Sequence, residues 1–130
     1  MNRYRDWLDQ AGANLLHAER SVEMGDYAWA CFAAQQAAEA ALKALHMRHG
    51  QVAWGHSVLD LISALPEEAR PGRSLEEKAR TLDKYYIPTR YPDAHPAGSA
   101  ARHYTEDEAR QAVEMAREVI SHCERESLEA

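Results

Sequence analysis

Apolar residues recur at helical spacing in three long segments of this chain. The segment from about Tyr4 to Met24 and the segment after Thr105 both follow the i, i+3, i+4, i+7 pattern of an amphipathic helix. The segment from Tyr27 to about Arg48 is more apolar, and alanines nearly encircle it. An alanine-rich helix allows neighbours to approach closely on more than one side, so we expect it at the centre of a bundle.

Local signals place the helix ends and two shorter helices. Gly25 is a left-handed stop after the first segment. Three motifs resemble N-terminal capping boxes, in which a hydroxyl accepts from a backbone N–H three residues on. They open the third, fourth and fifth helices, and they are Ser57-x-x-Asp60, Ser74-x-x-Glu77 and Thr105-x-x-Glu108. One face of the predicted fourth helix carries Leu75, Ala79, Leu82 and Tyr86.

These elements predict an all-α fold of four to five helices in one bundle. No segment alternates apolar and polar residues in the manner of a strand. At 130 residues the chain is long enough to bury a core without disulfides, so residues 1–130 are expected to form a single domain.

Composition narrows the classes of function. Twenty-one acidic against 15 basic residues give a formal charge of -6, which argues against nucleic-acid binding over the whole surface. The charged N-terminus lacks the apolar run of a signal peptide, and no window has the roughly 20 apolar residues of a membrane span. We therefore expect a soluble, cytoplasmic protein that does not contact a membrane.

The segment Tyr85–His95 is unlike the rest of the chain. It holds three tyrosines, Arg90, Asp93 and His95 together with two prolines, and packed helices require no such combination. Its two prolines cannot continue a helix and push the residues before them toward extended conformations. The surrounding window, residues 84–103, has three basic side chains and two histidines against one acid. This loop is the predicted functional site.

Two interpretations of the loop remain open. In the first, Tyr85, Tyr86 or Tyr91 stacks on a nucleobase, Arg90 holds a phosphate, and Asp93 contacts a ribose or orients Arg90. In the second, Tyr86 and Tyr91 pack the loop onto the bundle and Asp93 pairs with Arg90 to shape it.

Other groups of reactive side chains favour structural roles. Cys31 and Cys123 lie on apolar helical faces and have no metal-binding spacing, as expected for buried free thiols. Three histidines, His46, His49 and His56, lack a carboxylate at the spacing of a known metal motif, and we predict neither a metal nor a cofactor. Glu39 and Lys43 form an i, i+4 pair, from which Lys43 either stays on the helix surface or reaches an anion.

The chain resembles the HEPN domain, a nucleotide-binding domain of higher eukaryotes and prokaryotes. Three features carry the resemblance along nearly the whole chain: Phe32–Leu45, the pair Gly55-His56 before a short helix, and Tyr85–Asp93. The resemblance implies an antiparallel helical bundle, usually a homodimer. Small prokaryotic members are often encoded beside a minimal nucleotidyltransferase, and the two act as a toxin–antitoxin or substrate-binding pair.

Many HEPN proteins are metal-independent ribonucleases with an R-x(4–6)-H motif, and two pairs here fit that spacing. Arg117 and His122 lie inside the last helix, about 140° apart around its axis. Arg90 and His95 precede that helix. As a ribonuclease, His95 would be the general base and Arg90 would stabilise charge on phosphate, with a second copy of each supplied across a dimer cleft.

Three functions are therefore carried forward. The leading hypothesis is nucleotide or RNA binding in partnership with a nucleotidyltransferase. The second is RNA cleavage by Arg90 and His95. The third is a protein-interaction scaffold that uses exposed Trp29 or Trp54 and predicts that Arg90 is ion-paired away from any cleft.

Overall fold

The computed structural model describes residues 2–130 and contains five α-helices and three 3₁₀ turns in that range. The helices are α1 (Tyr4–Glu23), α2 (Tyr27–Arg48), α3 (Val58–Ser63), α4 (Arg73–Asp83) and α5 (Glu106–Glu129). The 3₁₀ turns are Glu67–Ala69, Pro92–Ala94 and Ala100–His103. The prediction of an all-α helical bundle is confirmed. None of the helices within residues 2–130 combines the length and apolarity needed to cross a membrane.

Helix α2 is the centre of the bundle, as its alanine content predicts. Fifteen of its 22 residues are buried, and it packs most extensively on α1 and α5. Hydrogen bonds at the helix ends show how these helices run relative to one another. The Asn2 amide donates to the Met47 carbonyl at 2.6 Å, so α1 and α2 are antiparallel. Arg48 donates to the Ser127 carbonyl at 3.1 Å, so α2 and α5 point the same way.

Two of the three predicted caps are present. The Ser57 hydroxyl accepts from the Asp60 N–H, and the Thr105 hydroxyl accepts from the Glu108 N–H, each at 3.1 Å. The start of α3 has a second cap from a distant residue, because the Asp83 carboxylate accepts from the Val58 N–H at 2.5 Å. This contact ties the end of α4 to the loop that carries His56.

Helix α4 differs from the prediction at both ends. The predicted Ser74 cap is wrong, because the helix begins two residues earlier than that cap implies, with extended Gly72 at the N-cap and no side-chain cap. The helix ends at Asp83, so Tyr86 lies in the turn beyond it rather than on its face. The turn formed by residues 84–91 therefore decides where the loop tyrosines point.

Candidate functional site

The guanidinium of Arg90 lies among three aromatic rings. Its central carbon is 4.3 Å from the centroid of Phe32, 4.8 Å from Tyr86 and 5.2 Å from Tyr91. Its Nε donates to the Tyr86 carbonyl at 2.9 Å, which fixes the side chain against its own turn. The π-faces attract the cation without neutralising its charge. We call Phe32, Tyr86, Arg90 and Tyr91 the arginine cluster.

No carboxylate within residues 2–130 forms an ion pair with Arg90, although the protein carries more acids than bases. Asp93, which the sequence offered as a partner, is exposed on the 3₁₀ turn Pro92–Ala94 and makes no such pair. The predicted Asp93–Arg90 pairing is therefore absent from this part of the chain. Arg90 keeps its two terminal nitrogens as donors for an external acceptor.

The proline-containing turn holds the cluster in place. The Thr89 side chain is buried and donates to the Tyr85 carbonyl at 2.7 Å. Tyr91 is extended at φ -130° and ψ 130°, as expected for a residue that precedes a proline. The turn thus sends Arg90 and Tyr91 outward while Thr89 anchors it inward.

Tyr85 and Tyr86 are adjacent in sequence but face different surroundings. Tyr85 is 8% exposed, and its hydroxyl donates to the Glu108 carboxylate at 3.2 Å. Burial, with a smaller contribution from that carboxylate, raises the pKa of Tyr85 well above its usual value. Its ring is part of the core, so the structure does not bring Tyr85 together with the arginine cluster.

His95 also has partners of its own. Its Nε2 lies 2.6 Å from the Pro88 carbonyl, and its ring stacks on His103 with centroids 4.2 Å apart. Tyr104 meets the same ring edge-on at 5.8 Å. Arg90 and His95 thus contact different side chains within one chain.

Lys43 is mostly buried and already paired. Its side chain is 13% exposed, and its ammonium lies 3.1 Å from Glu39. The Trp7 ring lies 5.9 Å away on another side. Lys43 is thus engaged in an internal ion pair, and its main observed role is to neutralise Glu39.

Sequence reasoning did not assign to the site Phe32, which belongs to the cluster, or Glu39 and His56, which adjoin it. The His56 ring stacks on Tyr86 with centroids 4.4 Å apart and planes 16° apart. Its Nδ1 lies 3.2 Å from Glu39 Oε1. The available signal was the spacing of Phe32, Glu39 and Lys43 along α2, which aligns them on one side of a helix.

The remaining candidate residues, from the second Arg-x4-His pair and the histidine group, contact other parts of the bundle. Arg117 pairs with Glu19 at 3.6 Å, while His122 is buried with Nε2 2.8 Å from the Ala69 carbonyl, so they diverge as predicted. Among residues 2–130 no cluster of His, Cys, Asp and Glu has the arrangement of a metal site. His46 instead lies between Gln51 and the Leu61 carbonyl.

The two cysteines are buried in the bundle, whereas two of the tryptophans are exposed. Both thiols are buried, and burial raises the pKa of Cys31 to about 12 and that of Cys123 further still. Trp29 and Trp54 are exposed, as the scaffold hypothesis requires. Trp29 meets Phe32 edge-on at 6.0 Å, so it extends the aromatic surface beside Arg90.

The fold and the cluster define an all-α bundle domain with an unpaired cation on its tyrosine–proline turn. The HEPN domain model matches residues 4–126, and the chain belongs to the HEPN family. No curated protein matches the sequence.

Three solved structures are similar to the chain. TT1696 from Thermus thermophilus is 63% identical, with a TM-score of 0.95 over 97% of this chain and 99% of that chain. ST0689, an archaeal HEPN homologue, is 34% identical, with a TM-score of 0.83 over 98% and 99%. An HEPN domain protein from Thermotoga maritima, tm0613, is 39% identical, with a TM-score of 0.75 over 92% and 95%.

Proposed function

We propose that this HEPN domain binds a nucleotide or the phosphate of an RNA at the arginine cluster, and that it acts with a partner nucleotidyltransferase in a toxin–antitoxin-type pair. The observation that carries the proposal is the state of Arg90, which is held by three rings and a carbonyl but is not neutralised by an acid. A planar guanidinium with free terminal donors suits bidentate contact with a phosphate.

The aromatic side chains supply the second part of such a site. Tyr91 is 45% exposed and lies beside the guanidinium, so its ring is available for stacking on a base. Tyr86 is half-buried between His56 and Arg90 and serves as the support for both. The ligand-contacting set is therefore Arg90 and Tyr91, with Asp93 exposed nearby, while Tyr85 and Lys43 hold the surroundings.

The two other functions have less support. A scaffold predicts that Arg90 is ion-paired away from any ligand, and no such pair is present within residues 2–130. RNA cleavage by Arg90 and His95 requires both side chains at one phosphate. His95 is already held by the Pro88 carbonyl and the His103 ring, and Arg90 by the Tyr86 carbonyl, so no contact joins the two side chains within residues 2–130.

The test is nucleotide binding by purified protein, measured by isothermal titration calorimetry with ATP and with a short single-stranded RNA. We expect Arg90→Ala to weaken binding by at least tenfold, because charge-assisted hydrogen bonds are lost. Arg90→Lys should recover only part of the affinity, since an ammonium lacks the planar fork. Arg80→Ala, at an exposed position on α4, is the matched control and should bind normally. Equal binding by all four proteins would refute the site.

The nucleotidyltransferase partnership needs a separate test. The protein would be mixed with a minimal nucleotidyltransferase from the same organism and examined by size-exclusion chromatography with light scattering. A stable complex supports the pair. Two species that elute separately at micromolar concentrations, with and without ATP, would contradict it.

A further inference from the structure

His56 is held in place from three directions. Its Nδ1 lies 3.2 Å from Glu39 Oε1. Gln35 donates to its backbone carbonyl at 2.8 Å. Its ring stacks on Tyr86 at 4.4 Å. The Gln35 bond fixes the backbone of His56, and the other two contacts fix the rotation of its imidazole ring, although the side chain is 55% exposed.

Glu39 determines which ring nitrogen of His56 carries the proton. Glu39 is only 7% exposed and is paired with the Lys43 ammonium at 3.1 Å. The Gln36 amide donates to the same carboxylate at 3.1 Å. Since an ionised carboxylate only accepts hydrogen bonds, His56 must donate from Nδ1, and the neutral ring then carries its lone pair on Nε2.

The lone pair on Nε2 of His56 is a hydrogen-bond acceptor on the same tyrosine ring that carries the donors of Arg90. His56 and Arg90 both lie against the Tyr86 ring, at 4.4 Å and 4.8 Å from its centroid. The sum of these separations puts the imidazole centroid and the guanidinium carbon no more than about 9.2 Å apart. Within residues 2–130 Nε2 of His56 has no hydrogen-bond partner. Arg90 offers donors and His56 offers an acceptor on the same tyrosine ring, so the pair suits a ligand whose phosphate and hydroxyl can span that ring.

We propose that Nε2 of His56 accepts a hydrogen bond from the ribose 2′-hydroxyl of the nucleotide whose phosphate lies on Arg90. In this arrangement Glu39 is a positioning residue, which acts by fixing the His56 tautomer. The inference rests on the proposed function and adds a substrate class to it: ribonucleotides rather than 2′-deoxyribonucleotides. The 2′-hydroxyl is the group that distinguishes the two, and it can donate to a fixed acceptor.

The experiment compares binding of ATP with dATP, and of CTP with dCTP, by calorimetry. We expect the wild-type protein to favour each ribonucleotide by roughly threefold to tenfold, the effect of one hydrogen bond between neutral groups. His56→Phe keeps an aromatic ring against Tyr86 but lacks Nε2, so the ratio should fall to about one while dATP binding persists. Glu39→Gln should lower the ratio in part, because its amide can donate to Nδ1 as well as accept from it, and the His56 tautomer is then no longer fixed. His17→Asn, at an exposed position on α1, is the control.

Nitrogen-detected NMR of the histidine rings gives a readout without any nucleotide. In the wild-type protein the neutral His56 ring should carry its proton on Nδ1, and in Glu39→Gln a fraction of the rings should carry it on Nε2. A wild-type ring protonated on Nε2 would overturn the inference.

The binding outcomes separate the two proposals. Binding that depends on Arg90 but shows no ribose preference, or a preference that survives in His56→Phe, refutes the role of His56 alone. No binding of any of the four nucleotides refutes the nucleotide site and the inference together.

Discussion

Two Arg-x4-His pairs in this chain have the same spacing and opposite surroundings. Arg117 lies among the acids of α1 and α5 and is neutralised by them, and His122 is buried against the Ala69 carbonyl. Arg90 lies against aromatic rings with no acid in contact, on a turn rather than inside a helix. The difference shows that the spacing itself has little predictive value, because the neighbours decide whether an arginine is available to a ligand.

The largest expected effect is on the free energy of unfolding, which should depend much more on His122 than on His95. His122→Ala should lower the free energy of unfolding by about 2–3 kcal/mol, because it leaves a cavity and an unpaired buried carbonyl. His95→Ala removes a contact from an exposed turn and should cost about 1 kcal/mol or less. Urea denaturation followed by circular dichroism measures both. Equal losses would mean that the two histidines are equally structural, and the comparison would fail.

The next effect is the pH dependence of stability. It tests whether water is excluded from the buried side of the turn formed by residues 84–91, where Cys31 lies near Tyr85 and Glu108. Burial raises the pKa of Cys31 to about 12, so the folded protein keeps the thiol protonated where the unfolded chain, with a pKa near 9, loses the proton. That contribution to stability is complete below pH 9 and is lost as the pH rises toward 12. We expect a loss of about 1 kcal/mol from this group by pH 10.

Cys31→Ala is the matched variant for this measurement. Its free energy of unfolding should fall less steeply between pH 8 and pH 10 than that of the wild-type protein, in parallel urea titrations. Identical slopes would show that water reaches the thiol and that the inner side of the turn is open.

Much of the fold was predictable because its signals are local. The long helices follow from apolar spacing, and the Ser57 and Thr105 caps from residues three apart. The Ser74 cap failed because the N-cap is Gly72, so Arg73 and Ser74 extend the helix by two residues, which the motif does not encode.

The site was predictable only in part. The unusual turn and Arg90 could be identified from composition. Helical spacing placed Tyr86 on the apolar face of α4, but the helix ends at Asp83 and Tyr85 is the buried tyrosine. The contact between Glu39 and His56 joins residues 17 positions apart on different elements. Contacts of this kind depend on how α2 packs beside the loop before α3, which no local pattern contains.

A smaller effect would follow from giving Arg90 the environment of Arg117. Tyr91→Glu puts a carboxylate beside the guanidinium, and Tyr91→Gln puts a neutral side chain of the same length there. Both lose the stacking ring, but only the first neutralises Arg90 and repels a phosphate. We expect ATP to bind the Glu variant roughly fivefold more weakly than the Gln variant, the range of an exposed ion pair. Equal affinities would indicate that Arg90 does not hold the phosphate.

The smallest expected effect is on RNA cleavage, where neither Arg-x4-His pair should have any activity. The purified protein, without a partner and with EDTA present, would be incubated with labelled single-stranded RNA beside Arg90→Ala/His95→Ala and Arg117→Ala. Because Arg90 and His95 have separate partners in one chain, we expect intact RNA in all three reactions. Cleavage by the wild-type protein and Arg117→Ala, but not by the double variant, would contradict this expectation. It would mean that two copies of the chain bring Arg90 of one and His95 of the other to the same phosphate, and the turn would then be a catalytic site shared across a dimer.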